Sequence, residues 1–320
     1  MATTGSITRL APSPTGAMHL GNARTFLLNA LLARQRGWRV IFRMEDLDGP
    51  RVQPGAAAQA IDELRWLGLE WQGEIVTQSQ RQDFYQASLD QLSKANLAYP
   101  CTCSRREIAL AASAPAREDS LGLTPVVYPG TCRDKQATGE AVDRPGRPRA
   151  WRVKVRDETI NFEDKFAGLQ SFNLAATCGD FIVFRNEGLA AYQLAVVVDD
   201  ALAGVDKIVR GDDLLESAAM QIHLRKLLGM SGEVEYFHLP LVVGPDGRKL
   251  AKRHGDTKLT TYIRAGVSVN RILGLLGYWS GLLEKRDETD LSTLQERFDL
   301  EKLSPDPIVF SQQDDKFLRA

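Results

Sequence analysis

The sequence predicts an α/β fold built on a parallel sheet, and three observations carry the prediction. Residues 6–11 and 38–44 are apolar runs of strand length. Between them, Leu20, Ala23, Phe26, Leu27, Ala30 and Leu31 recur at helical spacing over residues 20–36, which makes a strand–helix–strand unit. Sheet-and-helix character returns at 190–199 and 205–210. With 320 residues, 43% hydrophobic and 25% charged, the chain can bury a full core in two or three domains.

The remaining elements follow in order. Residues 55–68 and 79–96 read as helices, the first buried through Ile61, Leu64 and Leu67 and the second through Phe84, Leu89 and Leu92. The character changes at Tyr99-Pro100-Cys101; from there to Gly146 the chain is rich in Ala, Ser, Pro and Arg, with one short helix near 104–112. Alternation over 150–155 and 181–185 marks two strands. Residues 214–229 form an amphipathic helix with Leu214, Leu215, Ala218, Ile222, Leu227 and Leu228 apolar. Helices near 257–265 and 268–277 precede polar C-terminal segments. The resulting division gives 1–98 and 189–256 to two halves of a sheet domain, 99–188 to an inserted subdomain, and 257–320 to a helical region.

Composition narrows the function classes. No apolar run is long enough to span a bilayer, and the N-terminus lacks an apolar signal core, so a cytoplasmic protein is expected. Three of the four cysteines lie close together, which suits a metal site better than a disulfide framework. A net charge of −1 argues against a whole-surface nucleic-acid binder. Charge is uneven, however: between Arg133 and Arg156 eight basic residues face three acidic ones. That stretch is either a solvated loop or a phosphate contact.

Two stretches carry chemistry. Arg9-Leu10-Ala11-Pro12-Ser13-Pro14-Thr15-Gly16-Ala17-Met18-His19-Leu20-Gly21-Asn22 runs from the first strand into the first helix. It sets Ser, Thr, Gly and His beside the free N–H groups of a helix start, an arrangement suited to nucleotide phosphates. His19 can donate to a phosphate oxygen and Gly21 leaves room for a flat adenine; the plainer reading is a turn and a polar helix-start residue. Far downstream, Lys249-Leu250-Ala251-Lys252-Arg253 follows the turn Val243-Gly244-Pro245-Asp246-Gly247. Two lysines three apart on such a loop can close on a triphosphate and stabilise charge on leaving pyrophosphate; an exposed basic loop is the alternative.

In this order the two stretches resemble the HIGH and KMSKS motifs of class I aminoacyl-tRNA synthetases. Together with Phe42-Arg43-Met44-Glu45-Asp46, the run from Tyr192 to Asp200, and Lys249 to Gly255, they resemble the glutamyl-tRNA synthetase catalytic core over residues 7 to 310. The resemblance implies a Rossmann-type parallel-sheet catalytic domain with an inserted zinc-binding α+β subdomain and a short helical C-terminal region. It places L-glutamate at Arg9, Leu10, Ala11, Pro12, Ser13, Glu45, Tyr192 and Arg210. ATP falls at Thr15, His19, Gly21, Asn22, Lys249 and Lys252, with His19 and Lys252 catalytic and Mg²⁺ on the phosphates. Charge logic agrees: glutamate carries two carboxylates and one ammonium, so Arg9 and Arg210 can hold carboxylates, Tyr192 can hydrogen-bond one, and Glu45 can pair with the ammonium.

The chain departs from the full-length pattern. Only 67 residues follow Arg253, so no helical anticodon-binding region is expected, and Val196 and Ala251 stand where Asn and Ser are usual. These features, with Cys101-Thr102-Cys103 and Tyr128-Pro129-Gly130-Thr131-Cys132, resemble the shorter branch that attaches glutamate to queuosine in the anticodon of tRNA(Asp). Zinc takes four ligands; Cys101, Cys103 and Cys132 supply three, Cys178 lies elsewhere, and Tyr128 is the fourth that the resemblance implies, with Asp134 the alternative. The expected partners are queuosine-bearing tRNA(Asp), glutamate and ATP, on a monomer that makes no membrane contact. The competing readings are a truncated glutamyl-tRNA synthetase charging a tRNA 3′ end and a catalytically silent tRNA-binding module.

Overall fold

The computed structural model describes residues 5–48, 52–111, 127–138, 146–250 and 257–320. β1 (Ile7–Leu10), α1 (Leu20–Arg36) and β2 (Arg39–Met44) form the expected strand–helix–strand unit, with β1 and β2 parallel. α2 (Ala56–Trp66) leads to β3 (Val76–Thr77) on the outer edge of β2. A 3₁₀ turn over Gln78–Arg81 then enters α3 (Gln82–Lys94). Tyr85, Leu89 and Leu92 point inward, whereas Phe84, expected in the core, is 48% exposed under the Arg81 guanidinium. Tyr85 is tolerated there because its hydroxyl donates to Asp199 at 2.8 Å.

β4 (Ala98–Cys101), α4 (Arg105–Ala111), α5 (Thr131–Thr138) and β5 (Ala150–Val153) follow. Next come the hairpin β6 (Thr159–Asp164) and β7 (Gly168–Asn173), the single turn α6 (Leu174–Thr177) and β8 (Ile182–Phe184). α7 (Tyr192–Ala203), β9 (Lys207–Gly211), α8 (Leu215–Leu227), β10 (Glu235–Leu239) and β11 (Val242–Val243) return to sheet and helix. The chain closes with α9 (Leu259–Arg264), α10 (Val269–Trp279), α11 (Leu291–Arg297), β12 (Ile308–Val309) and α12 (Gln312–Arg319).

Among the described residues, β4, β5 and β8 make an antiparallel sheet of their own. The β6–β7 hairpin does not join it. β6 runs parallel to β10, and β10 to β9, so the hairpin extends the central layer. That layer is completed where β1 lies beside β9: the Asp206 N–H donates to the Ile7 carbonyl at 3.1 Å, and the Ile7 N–H to Asp206 Oδ1 at 2.7 Å. Leu20, Leu27 and Leu31 of α1 pack with Phe42, Val209 and Leu239 of the strands into the main core.

Two expectations are corrected by packing. The apolar stripe expected on α8 is only partly used; Ile222 and Leu227 are half-buried, while Gln221 and His223 turn inward with Ala218, Ala219 and Leu224. The "polar" C-terminal segments are ordered elements. β12 pairs with β11, α12 starts from a reciprocal Ser311–Asp314 capping box, and Leu294, Phe310 and Leu318 anchor the region to the core. Among the described residues no helix is long and apolar enough to cross a membrane.

Candidate active site

The C-terminal ends of β1, β2 and β9, the start of α1 and the segment after β11 surround a cavity of about 720 Å³. In open parallel sheets this is the end at which ligands bind. Arg9, Ala11, Pro12, Ser13, Thr15, His19, Gly21, Asn22, Glu45, Tyr192, Arg210 and Lys249 all line it. Leu10 does not. Strand alternation turns it away from its neighbours, and it is fully buried in the core. Lys252, with Ala251 and Arg253, lies outside the described residues. Val196, read as a missing hydrogen bond beside the amino acid, is buried in α7 and does not line the cavity.

One end of the cavity is built from buried charge. Arg43, fully buried on β2, donates to Glu45 Oε1 from Nη2 at 2.9 Å and also pairs with Asp200 of α7. Burial pulls the Arg43 pKa down, but the Asp200 and Glu45 carboxylates more than offset it and leave it raised. Glu45 is thereby held at the cavity wall, its carboxyl raised by burial against the lowering effect of Arg43 and Arg9. Arg9 is 4% exposed. Its Nη1 donates to the Val209 carbonyl at 3.3 Å and its Nε faces Asp200 at 3.6 Å. Among the described residues Arg9 Nε has no hydrogen-bond partner, and burial lowers the Arg9 pKa. A buried guanidinium with unused donors is costly unless an anion arrives.

The other end joins the two motif stretches. The His19 ring nitrogen Nδ1 lies 3.1 Å from Thr257 Oγ1. The Leu20 N–H donates to the Thr257 carbonyl at 3.1 Å and the Leu259 N–H to the Met18 carbonyl at 2.7 Å. The segment following the lysine loop is thus zipped to the start of α1, which brings the two distant stretches to one cavity. Lys249 reaches that cavity with its ammonium 2.6 Å from Asp213. Gly21 has a packing reason beyond room for a base, since a Cβ there would sit 3.2 Å from Val242 Cβ, a tighter contact than α1 and β11 now make.

Sequence reasoning missed the residues behind the wall: Arg43, Asp200, Gln221 and His238. The available signal was charge inside apolar runs, as in Ile41-Phe42-Arg43-Met44-Glu45 and Val197-Val198-Asp199-Asp200.

A second cluster lies between β4 and α5. Cys101, Cys103 and Cys132 place their sulfurs within 4.8 Å of one another. The Tyr128 oxygen is 3.5 Å from Cys101 Sγ and 3.9 Å from Cys103 Sγ. Four ligands at zinc bond lengths stand roughly 3.5–3.8 Å apart in a tetrahedron, so the spacing fits. Asp134 is exposed on α5 and is not in the group. Tyr128 is positioned by Gly179: the two form a bridge, and at its positive φ of 67° a Cβ on Gly179 would lie 2.6 Å from the Tyr128 carbonyl. Arg152 was counted with the surface cations but is buried here. Its guanidinium stacks 3.8 Å from the Tyr128 ring centroid, and its Nε donates to Cys101 Sγ at 3.4 Å.

Comparison with known proteins identifies the family. Residues 7–302 match the family described as tRNA synthetases class I (E and Q), catalytic domain. A protein of Rhodopirellula baltica named glutamyl-Q tRNA(Asp) synthetase is 42% identical over 319 residues, covering 95% of this chain and 96% of the relative. One of the same name from Symbiobacterium thermophilum is 44% identical over 311 residues, covering 94% of each. The crystal structure of glutamate-tRNA synthetase from Elizabethkingia anophelis superposes with a TM-score of 0.77 at 24% identity, over 98% of this chain and 70% of that one, which establishes the shared fold. The chain therefore belongs to the class I tRNA synthetases of the E and Q group and is a ligase of that type.

Proposed function

We propose that this chain activates L-glutamate with ATP and transfers it to tRNA(Asp), onto the queuosine base of the anticodon. The observation that carries the reading is the pairing of Arg9 and Arg210 with Glu45 and Tyr192 on one cavity whose far end holds His19 and Lys249. The two guanidinium groups suit an amino-acid dianion, Glu45 its ammonium, and the helix start with Lys249 a triphosphate. The α-carboxylate of glutamate attacks the α-phosphorus of ATP, bound as its magnesium salt, and the bond to pyrophosphate breaks. Glutamyl-adenylate remains. His19 and Lys252 stabilise the charge that builds on the phosphates, so catalysis here is largely positioning and electrostatics. A hydroxyl of the queuosine ring then attacks the mixed anhydride and AMP departs. The identity of relatives carrying the glutamyl-Q tRNA(Asp) synthetase name over nearly their whole length supports the choice of acceptor.

The test is transfer of labelled glutamate to tRNA(Asp) with and without queuosine, followed by nuclease digestion. Label in the anticodon fragment of the queuosine-bearing tRNA is the expected result. Label at the 3′ end of tRNA(Glu) would establish the truncated-synthetase reading instead, and no glutamate-dependent ATP–pyrophosphate exchange at all would establish the silent module.

Cys101, Cys103, Cys132 and Tyr128 would hold a zinc ion. Four protein ligands leave no open position, so its contribution is structural, tying β4 to α5 where the apolar cluster is small. The protein as purified should carry roughly one zinc per chain. Stripping it with a chelator should raise amide hydrogen exchange in β4, α5 and β5 while leaving α1 and β9 protected. Metal-free protein with unchanged exchange in those segments would remove the assignment.

A further inference from the structure

Arg210 does not stand alone at the cavity wall. The parallel register places it opposite His238 on β10, and Asp164 lies at the end of the next strand, β6. Three adjacent strands thus carry an ordered row. Arg210 Nε donates to His238 Nε2 at 2.9 Å, and His238 Nδ1 lies 2.6 Å from Asp164 Oδ2. The side chains of His238 and Asp164 are fully buried. A guanidinium has no acceptor to offer, so the short contact to Arg210 requires His238 Nε2 to be the bare nitrogen. The proton is then on Nδ1, donated to Asp164. His238 is neutral in this arrangement, in keeping with a pKa that burial and the Arg210 charge lower against the raising effect of Asp164 and the Leu214 carbonyl. The Asp164 carboxyl is held below its usual range: burial opposes ionisation, but the bond from His238 and the N–H groups of Ala167 and Phe166 outweigh it.

Arg210 Nη1 also donates to Gln221 Oε1 at 2.9 Å and Nη2 to the Leu214 carbonyl at 3.2 Å. Three of its five N–H groups are therefore committed to the protein among the described residues, leaving one on each Nη for the cavity it lines. Without the Nε contact, the guanidinium would be held only from its two Nη groups and its plane would be less firmly set.

We infer that Asp164 and His238 form a relay that positions Arg210 for the substrate carboxylate, His238 serving as the obligate acceptor for Arg210 Nε and Asp164 fixing its tautomer. The inference rests on the glutamate-activating reading and assigns positioning residues to it. Nothing in it requires His238 to touch substrate. The same logic governs histidines whose outer nitrogen is held by a carboxylate so that the inner one presents a defined lone pair.

Two isosteric variants separate positioning from packing. Gln at 238 puts Oε1 near the position of imidazole Nε2 and keeps the acceptor for Arg210. Asn puts its amide near Nδ1, keeps the bond to Asp164 and cannot reach Arg210. In glutamate-dependent ATP–pyrophosphate exchange with the full chain, His238→Asn should raise KM for glutamate roughly ten- to hundredfold, the loss of one hydrogen bond to a charged group. KM for ATP should stay within about twofold of the wild type on this logic, and His238→Gln should recover most of the loss. Equal behaviour of the two variants, or parallel changes in both KM values, would reduce His238 to a packing residue. The tautomer is read without activity: imidazole ¹⁵N correlation spectra of the free protein at pH 7 should show His238 protonated on Nδ1, assigned by its absence in His238→Gln. A cationic or Nε2-protonated ring overturns the relay whatever the enzyme does, whereas absent exchange with the correct tautomer counts against the function and not the relay.

Discussion

Replacing Arg43 by Leu should be strongly destabilising, costing about 3–5 kcal/mol. Arg43 is 1% exposed and is bound to two carboxylates, Glu45 and Asp200, that are themselves buried. Leu fills the space and deletes the charge, so both acids must remain ionised in an apolar surrounding or take up protons. Among the described residues, Asp200 then keeps the longer contact to Arg9 at 3.6 Å. The expected result is a melting temperature lowered by several degrees and a urea midpoint shifted to match, with the slope unchanged. The triple variant Arg43→Leu, Glu45→Gln, Asp200→Asn should regain part of the loss, because deleting a whole buried network is less costly than deleting one partner. An Arg43→Leu protein that melts with the wild type would mean that the cluster is hydrated and that the buried-charge description of the site is wrong.

This cluster also marks the limit of what could be read in the chain beforehand. α1 was legible to the residue, because Leu20 to Arg36 combine helical spacing with Gly37 at the left-handed C-terminal position. β1 and β2 were legible as apolar runs. The cavity wall was legible where chemistry is concentrated in one stretch, from Arg9 to Asn22. α3 was placed with Leu89 and Leu92 inward, but its third inward residue is Tyr85, which stands at i, i+4, i+7 with them, and not Phe84; the polar hydroxyl of Tyr85 hid a face that the spacing records. Arg152 looked like one cation among eight and is instead stacked on Tyr128. A sequence records that a residue is charged, not whether the sheet register lays it on a ring.

The row behind Arg210 was illegible for the same reason. Arg210 and His238 are 28 residues apart and His238 and Asp164 are 74 apart. Only the pairing of β6, β10 and β9 makes them neighbours, and that order depends on a hairpin from the inserted stretch joining the central layer. Long-range strand pairing carries no local periodic signature, so isolated polar residues such as His238 in Tyr236-Phe237-His238-Leu239 read only as interruptions.

Arg9→Ala should show the opposite balance to Arg43→Leu: a large loss of activity with no loss of stability. Arg9 is buried yet poorly satisfied. It has one bond at 3.3 Å to the Val209 carbonyl, and its Nε faces Asp200 at 3.6 Å with no hydrogen-bond partner among the described residues. Asp200 retains Arg43 when Arg9 is removed, so no carboxylate is stranded. The folded protein therefore bears the desolvation of Arg9 without full return until an anion binds, and Arg9→Ala should melt at or above the wild-type temperature. Activity should respond in the other direction. Truncating one member of a buried charge pair costs about 2–5 kcal/mol, so kcat/KM for glutamate in pyrophosphate exchange should fall roughly thirty- to several-thousand-fold. KM for ATP should hold, because the end of the cavity proposed for the nucleotide is lined by His19 and Lys249, away from Arg9. Arg9→Lys should not rescue, since an ammonium offers a point charge where a planar fork is needed. An Arg9→Ala protein that keeps its exchange rate, or loses it only in step with a lowered melting temperature, would show that Arg9 is a structural cation and that the amino-acid carboxylate binds elsewhere.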